Sequence, residues 1–142
     1  HIFYKEKLSH YRLRLEYRFL GESVLGSPDW AFKNSGIKFH SPHPSELPID
    51  QKLLVAVEAQ ILGGNGKTER FTGNVCTAGT HIVMNDSLVL QYAKPQYDDT
   101  DEFARELMKN GHSRIISEGY IALQAEGHPI EFKNIELMKL DE

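Results

Sequence analysis

Polar side chains in three short stretches are spaced so that they could act on one ligand. Glu58 and Gln60 stand two apart in VEAQ. Asn34, Lys38 and His40 keep even spacing in NSGIKFH, and Gln124 and Glu126 do the same in ALQAEG. Residues i and i+2 of a strand share a face, so each set would project together. If the strands were neighbours on a concave sheet, a carboxylate beside an amide would meet a lysine, a histidine and a second Gln–Glu pair. Such a set offers the donors and acceptors that sugar hydroxyls need, with groups able to move a proton. The solvent face of any antiparallel sheet is also polar, so the pattern alone selects no ligand.

Strands must position these residues, and the chain reads as strands. In 11–20, Leu13, Leu15, Tyr17 and Phe19 alternate with Arg12, Arg14, Glu16 and Arg18, which predicts one core face and one wet face. In 53–61, Leu53, Val55, Val57, Ala59 and Ile61 share a face opposite Ala56, Glu58 and Gln60. Ile37 and Phe39 oppose Lys38 and His40, and Ile121 and Leu123 oppose Gln124 and Glu126. The next run pairs Ile130 with Phe132 but continues one residue out of step with Ile135 and Leu137, and a bulge near Lys133 and Asn134 would restore both sets to the core. The prolines of SPHPSELPID exclude helix or central strand there, and Asn85-Asp86 suits a hairpin turn.

One segment departs from the pattern. DDTDEFARELMKNGH crowds acids at its start, places Phe103 and Leu107 four apart and puts Gly111 where a helix ends, which predicts a short surface helix with no chemistry of its own. The expected architecture is a single all-β domain over 1–142: a sandwich of two antiparallel sheets with one short helix. Its core would hold Leu13, Leu15, Phe39, Val55, Val57, Ile121, Leu123 and Phe132.

Composition excludes several function classes. Sixteen basic and twenty acidic residues give a net charge of −4, with no basic stripe to follow a phosphate backbone, so nucleic acid is not the expected partner. No apolar run reaches the roughly 20 residues of a membrane helix. The start, HIFYKEKLSHYRL, has no signal-peptide core, so an exported form would already have lost its leader. Cys76, alone, makes no internal disulfide and leaves the compartment open. His10, His43, His112 and His128 lack metal-ligand spacing such as H-E-x-x-H. No cofactor is required by the pattern, and a divalent cation would need ligands distant in sequence.

NSGIKFH at 34–40, VEAQILGGNGKTERFTGNVC at 57–76, VMNDSLVLQYAKPQ at 83–96 and EGYIALQAEGHPIEFKNIEL at 118–137 together resemble the 3-keto-disaccharide hydrolase domain family. The resemblance implies a concanavalin-A-like jelly-roll sandwich, a small sugar or oligosaccharide substrate, a periplasmic or secreted location and a pathway link to the sugar oxidoreductase that makes the ketone. Two departures stand out. Members carry further strands, usually with a tryptophan, between C-x-x-G-T and V-x-N. Here Cys76 to His81 runs almost directly into Val83, which implies either a shortened domain or residues missing near His81, the second being expected because a sandwich without those strands would expose sheet edges. Members also often have arginine at the place of His40.

In a 3-keto glycoside the C3 ketone acidifies the C2 hydrogen, so a modest base can form an enolate that expels the group at C1. Hydration then completes net hydrolysis. The resemblance therefore implies Glu58 as base and His40 as acid, base or metal ligand, with Asn34, Lys38, Gln60, Gln124 and Glu126 holding hydroxyls or the enolate. Glu58→Gln is expected to leave the fold nearly intact. An ordinary retaining glycosidase needs two acids about 5–5.5 Å apart, but the same-face neighbour of Glu58 is an amide; Glu126 could still supply an inverting pair. A non-catalytic, lectin-like module is the remaining alternative, with Trp30 the only tryptophan to stack on a sugar.

Overall fold

The computed structural model describes residues 1–50, 54–67, 70 and 93–141 in full, together with the backbone of 82–84 and 87–90. The strands in chain order are β1 (Ile2–Phe3), β2 (Tyr11–Phe19), β3 (Asn34–Ser41), β4 (Val57–Leu62), β5 (Ile82–Met84), β6 (Ser87–Leu90), β7 (Tyr120–Glu126) and β8 (Ile130–Lys139), with one helix, α1 (Glu102–Lys109), between β6 and β7. The fold is an all-β sandwich, as the alternating runs predict. Its four-stranded sheet has the order β1-β7-β3-β4, β2 pairs with β8, and β5 pairs with β6; every pairing is antiparallel. Met84 pairs with Ser87 across 85–86. That turn, Leu53 and the expected gap near His81 lie outside the described residues.

The alternation in β2 is realised along its whole length: Tyr11, Leu13, Leu15, Tyr17 and Phe19 are half-buried and the residues between them exposed. Opposite them β8 sets Leu137 on Leu13, Phe132 on Tyr17 and Ile130 on Phe19. Between the pairs Arg14–Glu136 and Glu16–Lys133 the ladder slips by one residue, and Asn134 takes the left-handed conformation at φ 50°. This is the expected bulge. It returns Leu137 to the apolar side but leaves Ile135 53% exposed, because a bulged residue has no place in the ladder. Arg18 and Glu131 pair across the same ladder at 2.7 Å, and Asn134 donates to Glu16 at 2.6 Å.

The two layers meet where Tyr11 approaches Phe39 (ring centroids 6.3 Å apart) and Phe19 approaches His128 (5.6 Å). Val57, Ala59, Ile61 and Ile121 are buried, whereas Leu13, Leu15, Phe39, Val55, Leu123 and Phe132 are only half-buried. The short helix forms where expected. Asp101 caps it by accepting from the Ala104 amide at 2.7 Å, and Gly111 follows its end at φ 99°. Its buried face is Ala104 and Leu107, with Phe103 outward. That face packs with Tyr97 and Ile116 into a cluster flanked by Val55 and Met108. The segment is therefore a cover over the start of β4 rather than a peripheral decoration.

Candidate functional site

β3 lies between β7 and β4, so residues of three strands meet in rows across one face. Asn34 stands between Glu126 and Leu62, Gly36 between Gln124 and Gln60, and Lys38 between Ala122 and Glu58. The sequence spacing thus brings Asn34, Lys38, Glu58, Gln60, Gln124 and Glu126 onto one surface. His40 does not join them. It has φ 55° at a register shift between Lys38 and Ser41, and this reversal turns its ring toward Tyr11, 6.2 Å away, where Phe39 also reaches. Burial, and then the charge of His10, hold the His40 imidazole below the usual histidine range.

This face is not the wet surface that alternation suggests. Lys38 is 3% exposed and Glu58 8%, and the Lys38 ammonium donates directly to the Glu58 carboxylate. Glu58 lies over Gly36: a Cβ there would stand 2.1 Å from its Oε1, so only glycine leaves room for the carboxylate. Gln60 donates to Asn34 Oδ1 at 2.5 Å, fixing both amides in the same plane of contacts. Gln124 donates to Glu126 Oε2 at 3.0 Å, while its own Oε1, in a side chain 5% exposed, has no hydrogen-bond partner among the described residues. Burial and the neighbouring Glu58 charge push the Glu126 carboxyl above the usual range, with Lys38 opposing. Glu126 is thus the group on this face whose proton is held more tightly than an ordinary carboxyl's.

The ion pair also faces a pocket. Lys38 and Glu58 line a cavity of about 240 Å³ together with Tyr97, Asp101, Ala104 and Ile116 from the covering segment. Removing one member of a buried pair leaves the other charge uncompensated, so the burial of this pair predicts a cost in stability for Glu58→Gln that alternation alone does not. Among the described residues no group of three or more His, Cys, Asp or Glu side chains is placed to hold a metal ion. No described helix is long and apolar enough to cross a membrane.

The decisive comparison is with protein families. A family model described as 3-keto-alpha-glucoside-1,2-lyase-like domain matches residues 1–87 of the 142. The chain belongs to that family. Membership places it among carbohydrate-directed, hydrolase- or lyase-like enzymes. No curated protein and no solved structure gives a significant match. The matched stretch holds Asn34, Lys38, His40, Glu58 and Gln60. Gln124 and Glu126 lie beyond it on β7, the strand hydrogen-bonded to β3.

Sequence reasoning passed over two contributors. Gly36 is the first, although an isolated glycine inside a strand pattern is a known sign of close approach. The covering segment is the second, and the Ala104–Leu107 spacing was its signal. Arg70 has a structural place instead: its guanidinium donates to the carbonyls of Phe32, Gly63 (3.0 Å) and Trp30 (3.2 Å), tying the start of β3 to the end of β4.

Proposed function

We propose that this family member cleaves the glycosidic bond of a 3-keto glycoside by elimination and hydration. The observation that carries the reading is the buried Lys38–Glu58 pair, which lines a pocket on one side and adjoins an amide-rich row on the other. A sugar ring lying over Gly36, Gln60 and Gln124 would present C2 to Glu58 and C1 toward Lys38. Glu58 takes the C2 proton, and the C–H electron pair forms the C2=C3 bond of an enolate whose charge rests on the C3 oxygen. Collapse re-forms the ketone, moves the double bond to C1=C2 and breaks the bond from C1 to its oxygen. The departing oxygen takes a proton from Lys38, and addition of water across C1=C2 yields the free 3-keto sugar.

Each role rests on a physical property of the face. Amide N–H groups can donate to a developing enolate oxygen, as preorganised donors do where charge appears only in the transition state. Gln60, Asn34 and Gln124 supply amides, and Glu126 stands at the end of the same row to hold a hydroxyl. The unpartnered Gln124 Oε1 would accept a sugar hydroxyl, removing the cost of a buried bare acceptor. His40 has no part in this scheme because of where the bulge turns it. The substrate requires a preceding oxidation at C3, so an oxidoreductase acting on a sugar hydroxyl is the proposed supplier, and a periplasmic or secreted setting is proposed with it.

The test is a pair of substrates in heavy water. Methyl 3-keto-α-glucoside should be cleaved with deuterium incorporated at C2, and methyl α-glucoside should be untouched, because only the ketone acidifies that position. Equal cleavage of both without exchange at C2 would replace this mechanism with ordinary acid catalysis at the glycosidic oxygen, the inverting Glu58–Glu126 alternative.

A further inference from the structure

The pocket beside the ion pair has a second character. Most of its exposed wall is hydrocarbon, from Leu54, Val55, Ala56, Val57, Ala104 and Ile116, with Gln96, Tyr97, Asp98 and Asp101 adding polar groups to those of Lys38 and Glu58. Its other carboxylates are partly committed. Asp98 Oδ1 accepts from the Thr100 amide at 2.8 Å and the Thr100 hydroxyl at 2.7 Å, and Asp101 Oδ1 caps the helix. A second sugar ring placed there would turn several hydroxyls toward hydrocarbon, at roughly 1–3 kcal/mol for each group left bare. An apolar ring would instead exchange water for hydrocarbon contact, at ~25 cal/mol per Å² buried. A volume of about 240 Å³ accepts one six-membered carbocycle with room to spare.

The pocket also lies on the correct side for this role. Lys38 and Glu58 line it, whereas Gln60, Gln124 and Glu126 do not. A ring bound over the amides would therefore direct its C1 substituent into the pocket. Resting on the elimination reading above, we infer that this cavity is a leaving-group subsite for a compact apolar aglycone, so that the preferred substrates are 3-keto glucosides of cyclic or aromatic alcohols rather than 3-keto disaccharides. The covering segment, 95–116, is then the specificity element of the enzyme, and α1 contributes through Ala104.

Three substrates test this: cyclohexyl, methyl and glucosyl 3-keto-α-glucosides. Cyclohexanol is chosen over phenol because it is no better a leaving group than a sugar hydroxyl, so any preference for it reports binding. The expected kcat/KM is about tenfold or more higher for the cyclohexyl than for the glucosyl compound, the order of discrimination an apolar pocket supplies. Ala104→Leu fills the cavity and should lower the cyclohexyl-to-methyl ratio about tenfold. Ile116→Ala, which empties part of the wall, should lower the same ratio and serves if the larger side chain prevents folding. Equal or better cleavage of the disaccharide analogue, or a ratio that neither variant moves, overturns the inference while leaving the elimination reading in place. If none of the three is cleaved, the elimination reading fails, and cyclohexanol alone then decides the pocket. Chemical-shift changes at the Ala104 and Ile116 methyl groups on adding cyclohexanol, lost at Ile116 in Ala104→Leu, uphold an apolar site, and their absence from the parent removes it.

Discussion

Lys38→Met is the most informative perturbation of this face. Lys38 and Glu58 are 3% and 8% exposed, directly opposite in register and hydrogen-bonded to each other. Removing the ammonium leaves a carboxylate buried without compensation, a change that costs about 3–5 kcal/mol, a large part of the ~5–15 kcal/mol of a typical domain. With a urea dependence near ~1.5 kcal/mol/M, the midpoint should fall by roughly 2–3 M. Glu58→Leu should lose a similar amount for the mirror-image reason, since it strands the ammonium. The double variant Lys38→Met/Glu58→Leu should recover nearly all of it, because two apolar groups of similar volume replace a pair whose desolvation already offset much of its attraction. The assay is urea unfolding of the four proteins as a double-mutant cycle. Losses below about 1 kcal/mol in each single variant that add in the double would mean that water screens the pair as it screens surface pairs, and the description of this face as buried would fall with them.

The remaining predictions concern single positions. Gly36→Ala places a methyl group where Glu58 Oε1 now lies. It should cost ~1–3 kcal/mol by overpacking and displace Glu58 from Lys38, with activity lost more completely than melting temperature. The Glu126 carboxyl has a raised proton affinity from burial and from Glu58, so the folded state is favoured while it is protonated. That contribution is whole below the ordinary value of 4.5 and is lost as the pH rises through the raised folded value; Glu126→Gln should flatten this part of a melting-temperature profile. His40 shifts the other way: stability is whole above its ordinary 6.5 and falls as the pH drops through the lowered folded value, and His40→Asn, which tolerates φ 55°, should remove that limb. Asn134→Ala should cost about 1–2 kcal/mol for a left-handed residue and Asn134→Gly less, as read by chemical denaturation.

Much of the face was legible in the sequence because strand alternation is a local rule. Even spacing placed Asn34, Lys38, Glu58, Gln60, Gln124 and Glu126 correctly, and the phase slip after Phe132 located the bulge at Asn134. His40 was misplaced by the same rule, since alternation assumes extended backbone and one residue at positive φ reverses it. A trace of this reversal lies elsewhere in the chain: a Cβ on Gly119 would stand 2.4 Å from the carbonyl carbon of His40, so the glycine in EGY marks a close approach whose partner no local pattern names. Burial of the polar face was not legible at all. It depends on segment 95–116 covering the start of β4, a long-range contact that no local pattern names.

Three features of the Lys38 face oppose stability together. A buried ion pair is seldom better than hydrocarbon of the same volume, a glycine inside a strand gives up conformational entropy and packing, and Gln124 keeps a buried oxygen without a partner among the described residues. Each alone is unremarkable in a sandwich. Their convergence on the central strand and its two neighbours, at the mouth of a pocket, is what a site looks like when local rules are broken for chemistry rather than for folding. The double variant Lys38→Met/Glu58→Leu makes the argument quantitative. It should fold about as stably as the parent, or more so, yet lose both cleavage of methyl 3-keto-α-glucoside and deuterium exchange at C2. A double variant that retained exchange would show that the proton leaves through another group, and Glu126, the one carboxyl on this face with a raised proton affinity, would take the place of Glu58.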